Sequence, residues 1–76
     1  MTLDEGLDIF QKWRRLRIRL FEAELKNKGK VNREEFLAQM DIQYGIRPKT
    51  GREYLETLKN TERIKIQGNE IEWVAH

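Results

Sequence analysis

The sequence predicts an α+β domain in which three helices, the first unusually long, precede a two-stranded β-hairpin. Three observations carry this. "IKIQGNEIEWV" alternates apolar and polar residues on either side of a Gly-Asn turn. Two helix starts are marked by capping residues, and the apolar residues between them recur at helical spacing. Pro48 then separates a third helix from the second, because a proline disfavours helical geometry in the residue before it.

Each element follows from local chemistry. Thr2 with Glu5 forms a capping box, so the first helix begins near Leu3, and Gly29 supplies its stop. Residues 3–28 as one helix would be about 39 Å long, with Gly6 loosening the first turn. Asp8–Lys12, Glu22–Lys26 and Glu24–Lys28 place acid before base at helical neighbour positions, which supports the helix slightly. A single extended residue, Val31, leads to Asn32, whose cap and Glu35 open the second helix. Phe36, Leu37, Met40 and Ile42 give that helix its apolar spacing. Gly45 ends it and Ile46 plugs the turn. In the third helix, "PKTGREYLETLKN", Tyr54, Leu55 and Leu58 face inward. In the hairpin, Gly68-Asn69 sets a register with Ile66 opposite Ile71, Ile64 opposite Trp73 and Lys65 opposite Glu72.

At 76 residues this is one domain, and so short a chain buries only about 60% of its unfolded surface. Without cysteine it has no disulfide framework or thiolate metal site, and the lone His76 cannot hold a metal alone. No apolar run approaches the roughly 20 residues that span a membrane, and "MTLDEG" is too acidic for a signal peptide. A soluble, cytoplasmic protein without cofactor, metal, membrane or small-molecule substrate is expected. Charged residues dominated by Glu, Lys and Arg would suit a thermophile. Catalysis is not expected. Glu34-Glu35 and Glu53/Glu56 are helical surface pairs with no histidine beside them, and the chain has no Gly-rich phosphate loop.

The net charge is only +2, so its distribution is the informative quantity. Asp4, Glu5 and Asp8 make residues 1–8 acidic, whereas "KWRRLRIR" (Lys12, Arg14, Arg15, Arg17, Arg19) has no acid at all. The third helix with Arg47 is mildly basic, and residues 63–74 are neutral. On a wheel of about 100° per residue, Leu3, Leu7, Phe10, Ile18, Phe21 and Leu25 form one apolar side. Ile9, Trp13, Leu16 and Leu20 form a neighbouring stripe, either packed on the hairpin near Trp73 or offered to a dimer mate or partner. Lys12, Arg15 and Arg19 line the polar side, while Arg14 and Arg17 interrupt the apolar arc.

"KGKVNREEFLAQMDIQYGIRPKTGREYLETLKNTERIKI" followed by the hairpin to Val74 resembles the winged-helix version of the helix-turn-helix fold. "GIRPKTGREYLETL" looks like the turn and third helix of small archaeal winged-helix proteins. The resemblance covers residues 18–76 as a winged-helix domain and leaves residues 1–17 as a helical extension continuous with helix one. It implies binding of double-stranded DNA, in transcription or chromatin, with the third helix in the major groove and the hairpin wing on neighbouring backbone. Carried over, Lys49, Thr50 and Arg52 match the reading helix, Arg47 the turn, and Lys65, Gln67 and Asn69 the wing. Arg52 suits a forked contact to guanine and Lys49 a point charge on phosphate. Arg47 stands where Ser or Thr commonly caps the third helix. Thr50 with Glu53 offers another capping box, three residues later. The family also binds proteins, which leaves an accessory subunit of a larger nucleic-acid machine as the alternative. Such a subunit would dock a partner, or a second copy, through helix one.

Overall fold

The computed structural model describes the backbone of residues 3–75 and the side chains of residues 11–75. The Thr2–Glu5 cap, the Asp8–Lys12 pair, the side chains of Leu3, Leu7, Ile9 and Phe10, and His76 lie outside the described residues. The elements run α1 (Leu3–Lys28), β1 (Lys30–Asn32), α2 (Arg33–Tyr44), α3 (Pro48–Asn60), β2 (Ile64–Gln67) and β3 (Glu70–Trp73). The chain is therefore α+β, with three helices and a three-stranded antiparallel sheet in the order β1-β3-β2.

The third strand is a correction. Val31 is not an isolated extended residue, because Lys30, Val31 and Asn32 pair with Glu72, Ile71 and Glu70. Three residues are too few to show an alternating pattern, and their pairing depends on a strand some forty positions away. The hairpin register is as expected, with Ile64 opposite Trp73 and Ile66 opposite Ile71. Gly68 takes φ +58 and Asn69 does not take a positive φ, which is the turn that places glycine first. Lys65 lies opposite Glu72 in register, yet the ion pair on this sheet joins Lys30 Nζ to Glu70 Oε1 at 2.8 Å.

The core collects one face from each helix and from two strands: Phe21 and Leu25 of α1, Phe36, Leu37 and Met40 of α2, Ile46, then Tyr54, Leu55 and Leu58 of α3, with Ile64 of β2 and Ile71 of β3. No polar or charged side chain is buried among the described residues. Phe21 meets Phe36 and Tyr54 edge-to-face, with centroids 5.3 and 5.4 Å away, so one ring joins all three helices. Ile42 is not part of this core. It is 87% exposed, on the far side of α2 from Phe36 and Met40. The expected Glu22–Lys26 and Glu24–Lys28 pairs give way to contacts between elements. Glu22 takes Arg63, Glu24 accepts from the Tyr44 hydroxyl, and Lys28 donates to Gln39.

The helix ends show which local signals were used. Asn32 Oδ1 accepts from the Glu35 amide at 3.1 Å, the expected cap of α2. Gly45 closes α2 in the left-handed region at φ +68. α3 starts at Pro48, with Arg47 as N-cap making no side-chain cap bond, so the Thr50–Glu53 box is not used. Gly51 is buried because α3 lies close on its neighbours. A Cβ there would stand 2.6 Å from Leu37 Cδ2 and 3.3 Å from Phe21 Cζ.

α3 ends in a paired turn in which Glu62 N donates to Lys59 O and Arg63 N to Leu58 O. Glu62 occupies the position usually given to glycine, at φ +60. Two expectations follow. Gly51→Val should destabilise the fold by about 1–3 kcal/mol through overpacking, read as a lowered denaturation midpoint. Glu62→Gly should stabilise it by up to about 1 kcal/mol, since a left-handed non-glycine residue costs about 1–2 kcal/mol and glycine returns part of that as chain entropy.

Candidate functional site

The residues expected to bind divide between three surfaces. The first is the outward side of α3, where Arg47, Lys49 and Arg52 are exposed. Thr50, expected on that front, is half-buried, because it lies about 100° round the helix from Lys49 toward the core flank. Arg52 borders a recess between α3, α2 and the hairpin that is also lined by Arg33, Leu55, Glu56 and Ile66. Glu53 and Glu56 are exposed on the same helix, so carboxylates stand among its basic groups.

Arg33 is the residue that sequence reasoning missed. It opens α2, and only the fold brings it beside Arg52. Its amide donates to the Asn69 carbonyl at 2.6 Å and its Nη2 donates to Asn69 Oδ1 at 3.3 Å. Asn69 is thus the brace that ties the hairpin tip to the start of α2. Arg33 Nε is buried without a hydrogen-bond partner and lies 3.8 Å from a Glu34 carboxylate oxygen.

The second surface is the outer face of the sheet. Strand side chains alternate between faces. With Ile64 and Ile66 turned to the helices, Lys65 and Gln67 project the other way, among Lys30, Glu70 and Glu72. They are therefore not on the face that carries Arg52. The sequence grouped Arg52, Lys65 and Gln67 in one DNA-binding set, whereas Arg52 borders the side of β2 that carries Ile66 and the other two project from its opposite side.

The third surface is the solvent side of α1. Every residue from Gln11 to Arg17 is exposed, and Arg19 is as well, so the helix overhangs the core with all five bases of "KWRRLRIR" in solvent. Lys12, Arg15, Leu16 and Arg19 line one shallow recess, as helical spacing requires. Trp13 is 59% and Leu16 58% exposed, which rules out their packing on the hairpin; only Leu20 of the described stripe rests against the core. The Arg17 guanidinium lies over the Trp13 ring, 5.9 Å from its centroid.

Among the described residues no group of three or more His, Cys, Asp or Glu is placed to hold a metal ion. No helix of the described chain is long and apolar enough to cross a membrane. Because Trp13 and Leu16 touch so little of the fold, Trp13→Ala and Leu16→Ala should each shift unfolding free energy by no more than about 0.5 kcal/mol in denaturant titrations. Comparison with protein-family models, with curated proteins and with solved structures finds no match to this chain.

Proposed function

We propose that this chain is a small winged-helix DNA-binding protein, acting in transcription or on chromatin in the cytoplasm, with α3 in the major groove. The observation that carries the reading is the exposed basic front of α3 beside Arg33, within a layout compatible with a winged helix. Arg52 would fork onto a guanine edge, while Lys49 and Arg47 would take phosphates. Arg33 and the hairpin tip at Asn69 would lie along the adjoining backbone. Lys65 and Gln67, on the other face of the sheet, would contribute less. With Glu53 and Glu56 close by, few phosphates are neutralised, so binding would be weak and steeply salt-dependent.

A second reading, a non-enzymatic accessory subunit of a polymerase, replisome or ribosome, is favoured by Trp13 and Leu16. Exposed apolar residues of that size on an overhanging helix suit a protein partner better than a phosphate backbone.

The test is a titration of duplex DNA at two salt concentrations. Arg52→Ala should weaken binding by about 1–3 kcal/mol, and Lys49→Ala should lower the salt slope by about one unit. Lys65→Ala should cost less than either. DNA affinity indifferent to both α3 substitutions would remove α3 as the reading helix.

A further inference from the structure

We propose that the overhanging part of α1 is a docking site for an acidic amphipathic helix of a partner protein. This rests on the second reading above and not on α3. Residues 11–17 are exposed at every position, so no element of the described chain covers them. Trp13, Leu16 and Leu20 follow one another at spacings of three and four, a single ridge along the helix. Its C-terminal end, Leu20, already packs against the core, so an apolar seam laid on Trp13 and Leu16 would continue an existing one. A ridge with that period is matched by another helix, which interdigitates side chains at the same spacing.

Charge selects the occupant. Lys12, Arg15 and Arg19 run beside Leu16, and no acidic residue occurs between Ile9 and Phe21. Glu22, the next carboxylate toward the C-terminus, is held by Arg63. The surface is thus a cationic rail beside an apolar ridge, complementary to a helix with apolar residues flanked by Asp or Glu. Nucleic-acid phosphates would satisfy the rail but leave Trp13 and Leu16 in water. A second copy of this segment would bring its own cations to the seam. Arg17 over the Trp13 ring covers one face of the indole with its guanidinium, and Trp and Arg are the side chains that most often anchor such interfaces.

The probe is a synthetic helical peptide with a leucine seam flanked by glutamates, titrated calorimetrically into the full chain. A control peptide carries lysine in place of each glutamate. The acidic peptide should bind with an affinity that falls as salt rises, and the lysine peptide should not bind. Arg15→Glu with Arg19→Glu, and separately Trp13→Ala, should each weaken the acidic peptide about tenfold or more. Lys49→Ala with Arg52→Ala should leave peptide affinity unchanged, which separates this site from DNA reading by α3. No binding of the acidic peptide, or equal binding of both peptides, would overturn the proposal. So would loss of duplex DNA binding in the Arg15/Arg19 variant with the peptide unaffected, which assigns the rail to phosphate. A solution mass of two chains that falls to one on Trp13→Ala would instead assign the ridge to a second copy.

Discussion

The three helices of this domain are held at one point by a single aromatic ring. Phe21 is fully buried and meets Phe36 of α2 and Tyr54 of α3 edge-on, while Gly51 lets α3 come down onto Phe21 and Leu37. Edge-to-face pairs of this kind contribute about 0.5–1.5 kcal/mol each beyond the area they bury. In a domain this small, where net stability is only a few kcal/mol, that is a large share. The close approach also sets direction, since it fixes which side of α3 is turned inward and hence which residues are left outside. Lys49, Arg52, Glu53 and Glu56 are exposed as a consequence of how Gly51, Tyr54, Leu55 and Leu58 are used.

The sheet extends the same logic to the other end of the core. Ile64 and Ile71 are buried on its inner face, and the short β1 joins through β3. Arg33 then connects the hairpin tip to the first turn of α2 through both oxygens of Asn69. Secondary ties, Glu22 with Arg63 and Lys28 with Gln39, hold the C-terminal half of α1 to the turn between α3 and β2 and to α2. All of these fall at or beyond Ile18, where burial in α1 begins. Residues 12–19 of α1, most of which precede it, carry the strongest run of positive charge in the chain, and Trp13 is the largest exposed aromatic side chain among the described residues. Residues 11–17 lie outside the core and contribute little to holding the fold.

Two basic regions of different character result. On α3 the bases are mixed with carboxylates, which favours a geometrically selective contact over bulk charge attraction. In residues 12–19 of α1 they are unmixed and set beside an apolar ridge, which favours an anionic partner able to bury hydrocarbon as well. The two lie on separate elements, so a DNA contact through one and a protein contact through the other would not compete for residues.

Local chemistry in the sequence determined the helices, the Asn32 cap, the Gly45 stop and the hairpin register, because caps, turns and alternation act over a few neighbouring residues. It also determined that the five bases of "KWRRLRIR" would be on a helix. Tertiary packing alone decided the rest. β1 exists because Val31 finds Ile71 across the chain. Packing also left Ile42, Trp13 and Leu16 in solvent, brought Arg33 beside Arg52, and put Lys65 and Gln67 on the opposite face of the sheet. A wheel or an alternation specifies which residues share a face. Which face is covered depends on contacts between residues far apart in sequence, and only the folded chain supplies those.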